Sequence, residues 1–357
     1  MNGKEIELKF GVIGVCTNLR KILQSIGKVE NEHVDNLTNI YFDTNKRDFY
    51  EMQAGLRIRK ANEYTEQTLK IRGSNIAGVH VRNEYNVRID DNAKKPDLSL
   101  FPLDAFPDGT DIAQLQKKLR KDCELDFTRH SYDFRYGEAL FEVSYDRGGI
   151  LYEGGKYPIN ELEVELKEAS LSEEELLDAF LNLVKALDEK GVAMTLEPFS
   201  KMHKAAVLLR NERNMIRLPD SGPHNVSDFL IGLIIMFEKM IGLLMVKQNP
   251  AVLGYISYTL KAINKALKEL KRELKMAFPS EQIKPLLKEI KDLRAILMRK
   301  YMHALEGEFL NVAFAIDEHE IASTVEVLRA KIGKTKLYML PLRIRVLLNK
   351  IAAAYEK

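Results

Sequence analysis

Charged and apolar side chains alternate in the segment Glu5-Ile6-Glu7-Leu8-Lys9-Phe10, and this alternation is the basis for predicting the fold. Successive side chains of a β-strand point to opposite faces. Glu5, Glu7 and Lys9 therefore share one face, and the apolar side chains share the other. For one such segment taken alone, the simplest interpretation is an edge strand with a solvated face.

The same alternation recurs through the first two hundred residues, which changes that interpretation. It predicts strands at 5–10, 56–60, 68–72, 79–89, 140–146 and 161–167. Turns are predicted between them, at 43–45, 72–75, 147–149 and 153–155, where Gly, Asn, Asp and Ser cluster. Many short strands with such turns indicate an antiparallel sheet or barrel.

Two helices are predicted within this part of the chain. One runs from about Thr17 to Ile26 and stops at Gly27. The other runs from Ser172 to Lys190, where Ser172 and Glu175 have the spacing of a capping box and Gly191 follows the last turn.

Six strands with a charged, solvated face would be unusual in one domain, so we consider a closed barrel with the charges inside. The apolar faces would then pack outward against helices. Arginine and lysine suit phosphate oxygens, and clustered carboxylates suit Mg²⁺ or Mn²⁺. A polyphosphate with a divalent metal would satisfy both signs of charge. The inward bases are Arg57, Arg59, Lys70, Arg72 and Arg82, and the acids are Glu5, Glu7, Glu142, Asp146, Glu161, Glu163 and Glu165.

The rest of the chain predicts an all-α bundle. Residues 211–223 contain two prolines and a glycine and are predicted to be a linker, and the pattern beyond them is helical to the end. The apolar stretch from Phe229 to Val246 carries Glu238 and Lys239, which favours a buried or amphipathic helix over a membrane span.

A basic stretch at 261–300 holds twelve Lys/Arg against five Asp/Glu, although the whole chain carries a net charge of only +2. Such a stretch could bind an anionic partner, but a packing helix with a solvated lysine-rich side is the favoured interpretation. The 357 residues contain two cysteines, too few for a disulfide framework, and no signal segment is evident at the start. We therefore expect a cytoplasmic protein with no membrane or nucleic-acid partner.

The chain resembles the CYTH, or triphosphate tunnel metalloenzyme, superfamily, whose hallmark Glu-x-Glu-x-Lys is met here by Glu5, Glu7 and Lys9. Further signatures follow in order at 55–59, 68–70, 82–85, 129, 141–146, 161–165 and 200–201. The resemblance covers residues 5–201 and implies an eight-stranded antiparallel β tunnel. It is greatest to the two-domain bacterial inorganic triphosphatases, which join this domain to a helical CHAD-type domain.

That resemblance implies a role for each matching residue. It divides the chain into a catalytic domain at 1–210, a linker at 211–223 and a degenerate CHAD-like domain at 224–357. The last lacks the usual histidine in its first helix and could still contact polyphosphate. The implied catalytic residues are Glu5, Glu7, Lys9, Glu84 and Asp146; the implied substrate ligands are Lys9, Arg57, Arg59, Lys70, Arg82, Arg129 and Lys201; and the implied metal ligands are Glu5, Glu7, Asp146, Glu161, Glu163 and Glu165.

The implied activity is metal-dependent hydrolysis of inorganic triphosphate to pyrophosphate and phosphate, with Mg²⁺ or Mn²⁺ and two ions when substrate is bound. Which two of Glu161, Glu163 and Glu165 bind metal stays open. Thiamine triphosphatase and class IV adenylyl cyclase activities share the tunnel and are alternatives. A non-catalytic polyphosphate-binding protein is a third, against which the full set of carboxylates argues.

Overall fold

The computed structural model describes residues 3–76, 79–152, 155–210, 225–247, 251–273, 283–292, 294–295, 330, 333–334 and 336–355. The strands are β1 (Gly3–Val12), β2 (Lys28–Asp43), β3 (Gly55–Lys60), β4 (Thr65–Ile76), β5 (Val79–Arg88), β6 (Arg120–Tyr136), β7 (Ala139–Tyr152), β8 (Gly155–Glu168) and β9 (Met194–Leu196). The helices with defined bounds are α1 (Leu19–Ile26), α2 (Asp48–Glu51), α3 (Ile112–Lys118), α4 (Glu173–Glu189), α5 (Lys201–Arg210), α6 (Val226–Lys247), α7 (Ala251–Glu273) and α8 (Leu340–Tyr355). Residues 283–292 are also helical.

The first eight strands form an antiparallel sheet in the order β5-β4-β3-β2-β6-β7-β8-β1. β1 also pairs with β5, from Gly3 opposite Glu84 to Leu8 opposite Val79, so the two ends of this order are joined. The short β9 pairs with the last residues of β1. The predicted antiparallel tunnel with flanking helices and a helical C-terminal part is confirmed.

The apolar faces of the strands point outward, where helices cover them. On one side, Leu8, Leu162 and Val164 share a core with Phe180 and Val184 of α4. On the opposite side, the β3 and β4 side chains pack against α2 and the segment after β5. The core on this opposite side contains Leu56, Ile58, Leu69, Phe49, Leu98 and Phe101. Because side chains alternate along a strand, burial of the apolar side chains on the outside of the tunnel directs the charged side chains inward.

Both helices predicted in this part of the chain are present. Ser172 caps α4 and forms the complete capping box with Glu175. α1 ends at Gly27, where an added Cβ would lie 2.5 Å from the Phe134 ring. A larger residue there would displace β6, so the glycine both ends the helix and lets it lie close to the sheet.

The helical part packs directly on the tunnel domain. α6 contacts α5 and α7, and Gly242 of α6 faces the Phe199 ring, which an added Cβ would approach to 2.7 Å. Tyr157 of β8 donates a hydrogen bond to the Met245 carbonyl. Side chains of α6, α7 and α8 belong to the same hydrophobic core as the outer faces of β1, β7 and β8.

The α6 segment Val226–Val246 is long and apolar enough to cross a membrane by length and composition, with a mean hydropathy of 2.2. Of the 18-residue window that meets this test, 67% is buried inside the protein. A core helix of a soluble protein meets the same test, and the burial here agrees with the predicted buried helix.

Two predicted turns are wrong. Gly148 and Gly149 lie within β7, and residues 72–75 lie within β4, next to a register shift between Ile71 and Ser74. The physical reason at Gly148 is close approach, because an added Cβ would lie 2.1 Å from the Asp126 carbonyl oxygen of β6. The predicted linker at 211–223 and the predicted turn residues Glu153 and Gly154 fall outside the described residues.

Glu238 on α6 is buried, 3% exposed, and its Oε1 has no hydrogen-bond partner within the described part of the chain. Burial raises the pKa of Glu238 from 4.5 to about 8, because loss of water disfavours the charged form. Between pH 4.5 and about 8, the Glu238 carboxyl is ionised in the unfolded chain but keeps its proton in the folded protein. Stability therefore falls as the pH rises through the window.

We expect Glu238→Gln to raise the free energy of unfolding by a few kcal/mol at pH 8 and much less at pH 5, since each unit of pKa displacement is worth about 1.4 kcal/mol. Urea unfolding at both pH values measures the effect. Glu269→Gln, at an exposed ion pair with Arg272 on α7, is the control. An equal change in stability at both pH values would show that Glu238 does not titrate in this window.

Candidate active site

The tunnel encloses a cavity of about 740 Å³ lined by side chains of both signs. The β1 residues Glu5, Glu7 and Lys9 line it, as the alternation of the first segment predicts. Of the other predicted site residues, these also line it: Arg57, Arg59, Lys70, Glu84, Arg129, Glu163, Glu165 and Lys201. Asp146 and Glu161 are fully buried directly behind them. The side chain of Arg82 lies outside the described part of the structure.

Three arginines from β3 and β6 form a cationic wall: Arg57, Arg59 and Arg129. Desolvation and the neighbouring Arg57 and Arg129 lower the pKa of Arg59 to about 10. Among the described residues, the buried Arg57 Nε has no hydrogen-bond partner, and Arg57 Nη2 lies 3.4 Å from Glu84 Oε1. Crowded cations with an unused donor are suited to an anionic ligand, which would relieve their repulsion.

A lysine from β4 separates two carboxylates at another part of the cavity. Lys70 Nζ lies 2.7 Å from Glu5 Oε1 and 3.0 Å from Glu84 Oε2. Desolvation raises the pKa of Glu84, but Lys70 and Arg57 outweigh it and lower the pKa to about 2. For Glu5, desolvation dominates and the pKa is raised. The two acids therefore differ in proton affinity although they share one lysine.

Asp146, Glu161 and Glu163 form a carboxylate cluster in which one oxygen from each lies within 4.8 Å of the others. Neighbouring strands bring them together, since Asp146 of β7 is opposite Glu161 of β8 and Ser144 is opposite Glu163. Arg129 pairs with Asp146 through two hydrogen bonds of 2.7 Å and also contacts Glu163. Desolvation raises the pKa of Glu163, but Lys201 and Arg129 outweigh it and hold the pKa well below its usual value.

Lys201, at the start of α5, connects all three members of the carboxylate cluster. Its Nζ lies 2.7 Å from Asp146 Oδ2, 2.9 Å from Glu161 Oε2 and 2.7 Å from Glu163 Oε1. Within the described residues, Glu161 Oε2 is buried and accepts no hydrogen bond in spite of this ion pair. Three carboxylates that converge on one cation are an oxygen donor set of the kind that Mg²⁺ or Mn²⁺ takes. The residues present therefore fit a divalent metal ion.

Glu165 has different neighbours from the carboxylate cluster. It contacts Lys167 at 3.0 Å, and Lys167 also pairs with Glu142. Burial raises the pKa of Glu165, with Lys167 acting in the opposite direction. The structure thus groups Glu161 and Glu163 with Asp146 and places Glu165 with Lys167. Glu5 and Glu7 of β1 line the same cavity but do not belong to the carboxylate cluster. Their role as metal ligands stays a prediction.

Sequence reasoning missed Lys204 and Glu197. Lys204 is buried on α5, one helical turn after Lys201, and contacts both Glu161 and Glu197. The i, i+3 spacing of Lys201 and Lys204 was a signal, because it places both on one helix face.

Lys9 connects β1 to the carboxylate cluster. Its Nζ donates a hydrogen bond to the Phe199 carbonyl and lies 3.4 Å from Glu161 Oε2.

The antiparallel tunnel encloses arginines, lysines and a carboxylate cluster, a set of side chains suited to a polyanion together with a metal ion. Residues 3–195 match the CYTH domain family, which is more than half of the chain. The chain belongs to the CYTH domain family.

Individual known proteins are also similar to this chain. An inorganic triphosphatase of Haemophilus influenzae is 28% identical over 176 residues, which are 48% of this chain and 47% of the relative. The chain therefore matches about half the length of that relative. A Hippeastrum structure, described as a putative adenylyl cyclase with a dominant triphosphatase activity, is 21% identical with a TM-score of 0.39, covering 57% of this chain and 94% of its own. A Pyrococcus horikoshii structure is 19% identical with a TM-score of 0.35, covering 56% and 96%.

Proposed function

We propose that this protein hydrolyses inorganic triphosphate to pyrophosphate and phosphate in a metal-dependent reaction. The observation that carries the proposal is one cavity that is lined by a crowded cationic wall with an unused Arg57 donor and by Glu163, behind which Asp146 and Glu161 complete the carboxylate cluster. The related inorganic triphosphatase of Haemophilus influenzae supports the same activity.

The basic residues of the cavity would bind and orient the substrate for phosphoryl transfer. Hydrolysis of a phosphoanhydride requires the substrate to be held in line and its charge to be neutralised. Arg57, Arg59 and Arg129 would bind and orient phosphate oxygens, since guanidinium groups fit them bidentately. Further contacts would come from Lys9, Lys70, Arg82 and Lys201.

The carboxylate cluster of Asp146, Glu161 and Glu163 would hold Mg²⁺ or Mn²⁺, with Glu5, Glu7 and Glu165 as further ligands when two ions are bound. A divalent ion in such a site neutralises developing charge and lowers the pKa of a bound water. Glu84 is held ionised by Lys70 and Arg57, so it would act as an acceptor that orients water or a cation. The chain's own groups thus supply orientation and charge, and no covalent intermediate is needed.

Thiamine triphosphatase and adenylyl cyclase activities are the alternative. The cavity volume of about 740 Å³ would admit an organic group, since small-molecule sites commonly measure about 300–1,000 Å³. The lining favours the inorganic substrate, because charged side chains dominate it and leave few apolar surfaces for a base or thiazole. The non-catalytic alternative is weakened by the carboxylate cluster, which would oppose anion binding without metal.

We expect triphosphate to have the highest kcat/KM among triphosphate, thiamine triphosphate, ATP and long-chain polyphosphate. Phosphate release with Mg²⁺, Mn²⁺ or chelator, together with chromatography of the nucleotide products, measures this. Activity should disappear with chelator. Formation of cyclic nucleotide from ATP at a higher rate than hydrolysis of triphosphate would instead support the cyclase alternative. Binding of these compounds with no hydrolysis of any of the four would support the binding-protein alternative.

We also propose that the helical part is a degenerate CHAD-like domain with a second anion-binding surface for polyphosphate. A groove of about 480 Å³ between α7 and the residues 283–292 and 294 supports this. It is lined by Lys261, Lys268, Lys288, Lys291 and Arg294 together with Asn264, Leu287 and Ile290. Residues 1–210 would form the catalytic domain, since the described residues that line the larger cavity all precede 211. The two free cysteines, Cys16 and Cys123, agree with a cytoplasmic location.

A further inference from the structure

Lys204 and Glu197 form a buried ion pair behind the carboxylate cluster. Lys204 Nζ lies 2.6 Å from Glu197 Oε2 and 2.5 Å from Glu161 Oε1. Lys204 is 3% exposed, and neither residue is among those that line the cavity. A buried lysine is costly unless its charge is compensated, and here two carboxylates compensate it.

The two oxygens of Glu161 have different surroundings. Oε1 accepts a hydrogen bond from Lys204. Within the described part of the chain, Oε2 accepts none, and it lies on the side of Lys201 and Lys9 with the rest of the carboxylate cluster. Lys204 thus holds Oε1, whereas Oε2 faces Lys201 Nζ, the atom that Asp146 and Glu163 also contact.

We propose that Lys204, neutralised by Glu197, is a positioning residue that holds Glu161 in the orientation required for divalent metal binding. This inference rests on the proposed metal-dependent function of the cavity. A hydrogen bond to the non-ligating oxygen of a metal-binding carboxylate is a common way to orient such ligands, and its loss typically weakens metal affinity by about 10- to 100-fold.

The opposite charges of Lys204 and Glu197 support a role of Lys204 in orienting the Glu161 carboxylate. Lys204 alone would add positive charge next to a cation site and weaken metal binding. Glu197 cancels that charge, so the pair supplies a hydrogen-bond donor without a net charge. Desolvation raises the pKa of Glu161, but Lys201, Lys204 and Lys9 outweigh it and keep Glu161 ionised.

The test compares two variants by calorimetry in the full-length chain. Lys204→Met/Glu197→Gln removes the donor and leaves the net charge unchanged, and we expect it to bind Mg²⁺ and Mn²⁺ about 10- to 100-fold more weakly than the wild type. Glu197→Gln alone keeps the Lys204 donor and an acceptor for it but leaves the lysine charge less compensated, so we expect a smaller loss of metal affinity than in the double variant. A larger loss of metal affinity in the double variant than in Glu197→Gln would support the positioning role.

A second measurement separates positioning from general damage to the structure. Triphosphate binding in chelator depends on the cationic wall, so the double variant should retain it, whereas a misfolded tunnel would lose both ligands. If the double variant does not fold, Lys204→Arg replaces it, because arginine keeps the charge but moves the donor atoms. Wild-type metal affinity in the folded variant would overturn this proposal, whereas absence of triphosphatase activity in the wild type would overturn the proposed function instead.

Discussion

Replacement of Glu163 by glutamine should abolish metal-dependent triphosphate hydrolysis while preserving or strengthening triphosphate binding without metal. Glutamine keeps the side-chain volume but removes one charge from the carboxylate cluster, so the affinity for Mg²⁺ should fall. Glu163 contacts Arg129 and Lys201. Its neutralisation leaves both cations with more uncompensated charge for phosphate oxygens. Phosphate release over a range of Mg²⁺ concentrations, and calorimetry with triphosphate in chelator, measure the two effects.

Glu165→Gln is the matched control for this prediction. It makes the same substitution two residues later on β8, where the carboxylate contacts Lys167 rather than Arg129 and Lys201. We expect a smaller increase in the Mg²⁺ requirement than Glu163→Gln causes. Equal effects would place Glu165 among the metal ligands, and an unchanged Mg²⁺ dependence in Glu163→Gln would show that this strand face does not bind metal.

Removal of Arg57 should have the opposite effect on metal-free binding. Arg57→Ala deletes a buried guanidinium whose Nε is unused among the described residues, while Glu84 keeps its contact with Lys70. A charge-assisted contact of this kind is worth roughly 1.5 to 3 kcal/mol, so triphosphate affinity in chelator should fall about 10- to 100-fold. Turnover should fall as well, because the substrate loses a group that orients it.

Arg135→Ala is the control for the change in net charge. Arg135 lies on β6, like Arg129, but pairs with Glu30 outside the cavity. We expect it to bind triphosphate nearly as well as the wild type. Comparable losses in the two variants would mean that long-range charge, rather than contact with phosphate in the tunnel, determines the affinity.

The pattern of alternating residues was sufficient for most strands but not for the two longest. β2 and β6 were not predicted from alternation. The first part of β2 is exposed or only half-buried on both faces, so apolar residues do not alternate there. In β6, buried positions alternate from Cys123 to Phe127, but the pattern weakens beyond them. Strands that extend past the packed part of a barrel lose the burial difference on which the periodic signal depends.

The alternating pattern alone predicts which side chains share a strand face, and the resemblance to the CYTH family added the roles expected of them. Glu5, Glu7 and Lys9 line the cavity because the two-residue period of a strand leaves no other face for them once Leu8 and Phe10 are buried outside. The N-terminal capping box of α4 was also predictable from the sequence, since it depends on two residues three positions apart. These features are local in the chain.

Which charged side chains contact one another depends on the packing of distant elements. Lys201 and Lys204 reach the carboxylates of β7 and β8 from a helix, and Glu197 joins them from the segment after β9. The separation of Glu165 from Glu161 and Glu163 likewise depends on neighbouring strands and on Lys167. Strand periodicity fixes a face, but distances between side chains of different elements follow from register, closure of the barrel and helix packing, which no local pattern encodes.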